Sequence, residues 1–578
     1  MPRMPLSDNL NLLWSSLIVA ELVKNGLDTF FISPGNRNAP LISALIHEER
    51  SVKKICVDER AAGYRALGHA KAAGRPGVLV CTSGTAPANY YPAVIEAFRD
   101  EIPLVILSAD RPPELIGSDA NQTIVQPDLY GRYCRDSLLI PCSSADYPLE
   151  ALLARIDSLI ARPVGPVHIN CAFRDPLVPG IPDSRPIPDE LLATAGRLYA
   201  REGAYTTYPS PGTLHIGLED VEAILNRTAR GLIVIGRLDG PRDAPALEEL
   251  AKKLGWPVFC DIASSMKGRI PSDRQIFSLD HPEALRLVSA YAPETILQFG
   301  SGLVSKHYFA SLLPHSEATV VQISPRTGLR DPAHRVNVRL SMPAFAFVEG
   351  LHLQENPSLD AADCCRFLDS LETLYQALQR RIPEETLSFS RIASDLLGAA
   401  PDGEGLFLGN SLVIRAFDKF RSPFPRKISV ISNRGVSGIE GNIATSVGFA
   451  EASRRRMTAV IGDISFLHDL NSLLLLAQSA TPVVLIIINN GGGRIFERLP
   501  IRDFPEILEP YMTTPHGMTF DLLAAQFDLP YFRAATPDEL RKAYESALDA
   551  ERSAVLEVIL DPEEDLRTFQ TFQNVRLP

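Results

Sequence analysis

Short apolar runs alternate with amphipathic stretches along most of this chain, and that alternation limits the fold more than any other feature. Phe30–Ile32, Ile55–Val57, Gly77–Thr82, Leu104–Ser108 and Val167–Asn170 read as strands, with helical stretches such as Ala61–Ala72 and Ala88–Phe98 between them. The pattern returns at Gly231–Gly236, Pro257–Asp261, Thr295–Phe299 and Ala318–Ile323. It returns again at Leu406–Gly409, Ile428–Ser432, Thr458–Asp463, Pro482–Asn489 and Ala554–Leu560. Strands separated by helices of this length build βαβ units and parallel sheets with helices on both faces. A Pro-rich stretch at Pro179–Pro188 reads as a linker, and a charged helical stretch at Cys365–Arg381 leads into the last segment. A chain of 578 residues is also too long for one hydrophobic core. The expectation is an α/β protein of three doubly wound parallel-sheet domains, at 1–182, 183–355 and 356–578.

Composition removes several function classes. The formal net charge is -12, which argues against a general nucleic-acid binder while leaving room for a locally basic pocket that takes anions. The eight cysteines are scattered without a C-x-x-C pair, so zinc and redox motifs have no support and a reducing compartment fits. The first residues carry Asp8, Glu21 and Lys24 among apolar positions, unlike a signal peptide. The longest apolar strand candidate, Val483–Ile488, is far too short to span a bilayer. The expected setting is the cytoplasm, with no membrane span.

In doubly wound folds ligands bind beyond the carboxyl ends of the strands, so unusual residues there carry the functional signal. One strand ends in Gly462-Asp463, a helical stretch Ser465–Ala480 follows, and the next strand ends in Asn489-Asn490-Gly491-Gly492-Gly493. Asp463 and Asn490 then share one sheet edge. A carboxylate, an amide oxygen and a backbone carbonyl form a hard oxygen site of the kind magnesium takes, completed by phosphate and water. Glycines let the backbone approach a diphosphate. An Asp capping a helix before a Gly-rich turn would explain either half alone, but not the paired Asn at this spacing.

This arrangement resembles the thiamine-diphosphate motif. The resemblance makes Asp463, Asn490 and the Gly492 carbonyl the ligands of magnesium, or of manganese in its place. Thiamine chemistry needs a carboxylate that shares a proton with the aminopyrimidine ring. Glu59, in Asp58-Glu59-Arg60 after the strand at Ile55–Val57, is the candidate, because partial burial would raise its pKa. The competing explanation is that both acids serve only the helix N-terminus.

Further segments narrow the resemblance. They are Ser33–Leu41, Thr82–Pro92, Ser108–Leu115, Asp119–Thr123, Gly409–Arg415, Ser432–Gly441, Asp463–Asn471 and Gly493–Pro500. In this order they resemble the 2-succinyl-5-enolpyruvyl-6-hydroxy-3-cyclohexene-1-carboxylate synthase family. The likeness is thinner in the middle, at Leu254–Pro257 and Gly300–Lys306. It implies a transferase of menaquinone biosynthesis that decarboxylates 2-oxoglutarate and adds the product to isochorismate, with a homodimer or homotetramer as the active unit. It places Pro34, Asn121, Ser411, Ser437, Gly438 and Ser465 near the cofactor. It gives Arg37, Arg111, Gln122, Lys306, Arg415 and Arg434 to substrate carboxylates, and Ile495, Phe496 and Leu499 to apolar packing around cofactor and acceptor. Arg suits this task because its planar fork pairs with carboxylate through two parallel hydrogen bonds. Asn36 and Gly491 depart from the family pattern, which commonly has Ser at the first position and in some members a third Asn at the second. His69, His168, His307 and His468 show no metal-ligand spacing. The rivals are another thiamine-dependent 2-oxoacid decarboxylase or acetohydroxyacid synthase, a non-catalytic binding protein on the same fold, and a dinucleotide-binding oxidoreductase. The last lacks a G-x-G-x-x-G after any strand.

Overall fold

The computed structural model describes residues 8–161, 164–184, 186–208, 218–328, 330–353, 361–420 and 427–577. Its strands are β1 (Thr29–Ile32), β2 (Val52–Ile55), β3 (Val78–Cys81), β4 (Leu104–Asp110), β5 (Asp136–Ile140) and β6 (Pro166–Ala172) in the first segment. The second holds β7 (Gly231–Ile235), β8 (Val258–Cys260), β9 (Gln275–Ile276), β10 (Thr295–Phe299), β11 (Thr319–Ile323) and β12 (Val336–Leu340). The third holds β13 (Gly405–Leu408), β14 (Ser429–Ile431), β15 (Met457–Gly462), β16 (Val483–Asn489), β17 (Tyr531–Ala534) and β18 (Ala554–Ile559).

They form three six-stranded sheets, in the orders β2-β1-β3-β4-β6-β5, β12-β11-β10-β7-β8-β9 and β14-β13-β15-β16-β18-β17. Every ladder between these strands is parallel. The first and third sheets repeat one topology. In each, the chain reverses its direction of travel across the sheet next to the opening strand, and such switch points open a crevice at the strand ends. The middle sheet has instead the strand order of dinucleotide-binding folds, yet its first turn, Gly236-Arg237-Leu238, is no phosphate fingerprint.

Burial follows the two-residue period of strands. On the middle sheet Leu232, Val234, Phe259, Ile296 and Val320 join one core, while Ile233, Ile235, Leu297, Phe299 and Val321 join another on the opposite face. The third sheet sends Leu406, Val460, Ile486 and Leu556 into the first of these cores, together with the helices Ala361–Gln379 and Phe389–Ala399. A continuous core therefore links the middle and third sheets. Near-continuous apolar strands are what two-sided burial requires.

The described residues fall into two compact units: Met1–Ser210 with Asn433–Arg454 and His468–Thr481, and Pro211–Ser432 with Arg455–Leu467 and Pro482–Pro578. Two stretches of the third segment thus pack with the first sheet. The reason is visible where the helix Asn442–Ser453 meets the helix Glu59–Ala73. A Cβ on Gly68 would lie 2.1 Å from the Thr445 carbonyl oxygen, and one on Gly448 would lie 2.0 Å from that of Arg65. Only glycine lets two helix backbones come this close. Arg65 pairs with Glu451 at 2.7 Å beside the crossing, and Tyr64 donates to Glu440 at 3.0 Å.

Three local expectations change. The helix expected over Ala88–Phe98 is broken at Tyr90 into Ala86–Asn89 and Tyr91–Asp100. The strand expected at Ile55–Val57 lies earlier, at Val52–Ile55, and leads into the turn that carries Asp58. The single helix expected over Ser465–Ala480 is broken into Asp463–His468, Leu470–Ser472 and Leu473–Gln478. The break falls at buried Asp469, whose carboxylate accepts from Ser472 Oγ (2.7 Å) and from the backbone N–H of Ile443 (2.8 Å) and Ala444 (3.4 Å). It thereby caps the helix that begins after Gly441, a residue with no side chain of its own to do so. Arg185 of the Pro-rich linker and the boundary at 355/356 lie outside the described residues.

Candidate active site

In the unit that holds the third sheet, β15 and β16 are neighbours in register, so Asp463 and Asn490 leave adjacent strand ends. Asp463 Oδ1 accepts from the N–H of Ile464 (2.7 Å), and Oδ2 accepts from the N–H of Asn490 (3.1 Å) and Gly492 (2.9 Å). The Asn490 side-chain amide donates to the Gly492 carbonyl at 3.0 Å and to Asp463 Oδ2 at 3.3 Å. The Asp463 carboxylate, the Asn490 amide and the Gly492 carbonyl thus meet at one sheet edge, and with the amide oxygen turned inward they would present the hard oxygens that a small divalent cation takes. The residues therefore fit a magnesium–diphosphate site. Burial raises the Asp463 carboxyl above its ordinary range, and its backbone hydrogen bonds oppose that rise.

The loop after β16 is shaped for close approach. Gly492 has φ +137°, and a Cβ there would lie 2.3 Å from the Thr513 carbonyl oxygen. The N–H of Gly493 donates to that oxygen at 2.7 Å. Gly491 has φ +75°, which glycine holds without strain, and a Cβ there would meet Arg494 Nη2 at 4.0 Å. His516 Nε2 stands 3.3 Å from Asp463 Oδ2. Sequence reading missed His516, since nothing near it in the chain marks its return to the β15 edge. Ser465 is buried in the helix that starts at Asp463. Ile495 and Phe496 are half-buried in the short helix Arg494–Arg498, and Leu499 beyond it is exposed. Ser411, after β13, has φ +68° and ψ -130°, a conformation that non-glycine residues hold at a cost of about 1–3 kcal/mol. Arg415 Nη1 donates to its carbonyl at 2.6 Å. Lys306 is exposed after β10.

In the other unit, Glu59 and Asp58 separate in role. Asp58 is the N-cap of the helix Glu59–Ala73, accepting from Ala61 N–H at 3.0 Å and from Asn471 Nδ2 at 2.7 Å. Glu59 is left half-buried, with its carboxyl raised by desolvation and further by the Asp58 charge, against backbone and Asn89 hydrogen bonds. A carboxyl that keeps its proton more readily than usual suits proton exchange with a ring nitrogen.

The turns around the first sheet hold the remaining candidates. Asn38 pins the turn after β1, accepting from Gly35 N–H (2.9 Å) and donating to the Ser33 carbonyl (3.0 Å), with Pro34 exposed at its tip. Arg37 is buried, donates to the Phe173 carbonyl (3.0 Å) and lies 3.6 Å from Asp175. Among the described residues, Arg37 Nε and Arg111 Nε are buried without hydrogen-bond partners. Asn36 lines an open cleft of about 440 Å³ with Asp175, Leu177 and Ile181. Asn121 is exposed, and Gln122 has φ +56°. Arg434, Ser437 (φ +59°) and Gly438 reach this unit on the loop before the helix Asn442–Ser453. Buried Glu96 holds that loop through the N–H groups of Gly435 and Val436, both at 2.7 Å.

The chain matches three family models in order. Residues 14–129 match a thiamine pyrophosphate enzyme N-terminal TPP binding domain, 195–408 a middle domain of thiamine pyrophosphate enzymes, and 415–558 the C-terminal TPP binding domain. It is 98% identical over 575 residues to the 2-succinyl-5-enolpyruvyl-6-hydroxy-3-cyclohexene-1-carboxylate synthase of Syntrophus aciditrophicus (strain SB), covering 100% of both chains. It is 34% identical over 577 residues to the protein of the same name from Pelodictyon phaeoclathratiforme, covering 98% of this chain and 95% of the relative. It is 36% identical over 562 residues to that of Salinibacter ruber, covering 95% and 94%.

Proposed function

Because the chain belongs to the 2-succinyl-5-enolpyruvyl-6-hydroxy-3-cyclohexene-1-carboxylate synthase family of thiamine-diphosphate enzymes, we propose that it decarboxylates 2-oxoglutarate and adds the four-carbon product to isochorismate in a 1,4 sense, a step of menaquinone biosynthesis. The observation that carries this reading is the meeting of the Asp463 carboxylate, the Asn490 amide and the Gly492 carbonyl at adjacent strand ends. These three hold a divalent metal. Thiamine diphosphate, when bound, supplies the electron sink for loss of carbon dioxide.

The chain's own groups do the rest. Glu59 holds and returns a proton at the aminopyrimidine. Arg37, Arg111, Gln122, Arg434, Arg415 and Lys306 bind the carboxylates of two anionic substrates and offset their mutual repulsion. Pro34, Asn121, Ser411, Ser437, Gly438 and Ser465 line the cofactor, and Ile495, Phe496 and Leu499 keep water from the reacting carbon. Residues 1–182 serve as the aminopyrimidine-binding domain, 183–355 as the central domain and 356–578 as the diphosphate and metal domain. A homodimer is the smallest active assembly, working in the cytoplasm. Among the described residues no helix is long and apolar enough to cross a membrane.

The test follows isochorismate by its ultraviolet absorbance. Consumption should require thiamine diphosphate, magnesium and 2-oxoglutarate together, and a chelator should stop it. Carbon dioxide release from 2-oxoglutarate without loss of isochorismate would overturn the acceptor. Protein that binds the cofactor yet turns over neither substrate would overturn the reaction.

A further inference from the structure

Beneath the turns that carry Arg111 and Gln122, five polar side chains are buried: Ser108, Asp110, Gln126, His168 and Asn170 are each 2% exposed or less. They lie on β4, on β6 and on the segment after Gln122, and none has a role in the chemistry proposed above. Asn170 is the centre. Its Oδ1 accepts from Ser108 Oγ (2.8 Å) and from Gln126 Nε2 (2.8 Å), and its Nδ2 donates to Asp110 Oδ2 (2.7 Å). Asp110 Oδ1 accepts the backbone N–H of Arg111 at 2.7 Å. His168 Nε2 closes one end, 2.7 Å from Ser108 Oγ.

Gln126 spends its whole amide on the neighbouring turns. Its Oε1 accepts from Gly84 N–H at 2.9 Å, and its Nε2 also donates to the Ala109 carbonyl at 3.1 Å. Gln122 in turn donates to the Ser83 carbonyl (3.1 Å), while Ser83 Oγ donates to the Gln122 carbonyl (3.1 Å). A Cβ on Gly84 would lie 2.9 Å from Gln122 Cγ, so the two turns are in contact as well as bonded. The turn after β3, the turn after β4 and the segment at 121–126 are therefore tied through one amide pair.

Apolar side chains of similar volume would fill this space at no desolvation cost. What a fully satisfied polar network adds is a single permitted arrangement, since each donor has one acceptor to reach. We propose that Gln126 and Asn170 are positioning residues: they fix the backbones of Gly84 and Arg111, and so the separation of the Arg111 guanidinium from the Gln122 amide across a substrate carboxylate. The inference rests on the reading of Arg111 and Gln122 as carboxylate-binding groups.

The experiment compares kcat and KM for each substrate in Gln126→Met, Gln126→Glu, Arg111→Ala and the double variant Arg111→Ala/Gln126→Met. Met keeps the length of the side chain without its polar atoms. Glu keeps the acceptor for Gly84 N–H and loses both donated bonds, and it stands in if the Met variant fails to fold. Arg111→Ala should raise KM for one substrate. Gln126→Met should raise KM for that same substrate about fivefold to tenfold with kcat within about twofold, and in the double variant the two effects should fall short of their product because they act on one contact. A purely structural role would lower the melting temperature and the active fraction and leave KM alone. Unchanged KM in both Gln126 variants, or effects that multiply in full, would overturn the inference while Arg111 keeps its assignment. Unchanged KM for both substrates in Arg111→Ala would overturn that assignment itself, and the inference with it.

Discussion

Replacing Gly68 by alanine sets two effects of opposite sign against each other. In a helix interior alanine is favoured over glycine by about 0.5–1 kcal/mol. Against this, the new methyl carbon would sit 2.1 Å from the Thr445 carbonyl oxygen and 2.9 Å from Phe449 N. Both are backbone atoms and cannot swing aside, so the helices Glu59–Ala73 and Asn442–Ser453 must part locally by about an ångström. Overpacking of this kind costs about 1–3 kcal/mol. Parting also stretches the Arg65–Glu451 pair, in which both side chains are less than a tenth exposed. The clash outweighs the propensity, and the expected net destabilisation is about 2 kcal/mol. A chain of several domains does not unfold in one step, so the suitable assay is native-state hydrogen exchange read by mass spectrometry. Amides of these two helices should exchange about 30-fold faster, with the middle sheet unchanged. Gly448→Ala, whose Cβ would lie 2.0 Å from the Arg65 carbonyl oxygen, should do the same, and the double variant should add little once the helices have parted. Slower exchange in Gly68→Ala would refute the reasoning, because it would mean that propensity acts alone and the backbones do not touch.

The two adjacent acids should separate by experiment. Glu59→Gln should fold normally and lose about 10²–10⁴-fold in turnover, whereas Asp58→Ala should lose about 1 kcal/mol of helix stability and keep most of its activity. Near-normal turnover in Glu59→Gln would remove Glu59 from the chemistry. Burial pushes the Asp469 carboxyl up to about 6, so the native state binds its proton more tightly than the unfolded chain does. Its contribution is then most favourable below about pH 4 and falls by about 3 kcal/mol as pH rises to about 6. Hydrogen-exchange protection factors of the helix Asn442–Ser453 between pH 4 and 7 should show this loss in the parent and not in Asp469→Asn; parallel profiles would refute it.

The strands that sequence reading located are mainly central ones, and the four it missed, β5, β9, β12 and β17, are all edge strands. Central strands are buried on both faces and read as apolar runs. Edge strands such as Val336–Leu340, largely half-buried, carry Asn and Arg among their apolar residues and lose that signal. β9 is two residues long, too short for any period. Asp463 and Asn490 were legible because chemistry at the end of an apolar run stands out locally. His516, Gln126 and Asn170 were not, because each is defined by partners far away in the chain. The break at Asp469 was hidden for the same reason, since its carboxylate serves a helix that begins 27 residues earlier, at Asn442.

The glycine-lined crossing of two helices also has a consequence for biosynthesis. The partner of Gly68 emerges from the ribosome roughly 370 residues after it, a delay of about 20–75 s at ordinary rates of synthesis. For that interval the first sheet is complete in strands yet bare along the helix that bears Glu59. Nascent chains stalled before residue 442 should therefore expose this helix to protease and to chaperones, and its amides should gain protection only once residues 442–453, about three-quarters of the way along the polypeptide, have emerged.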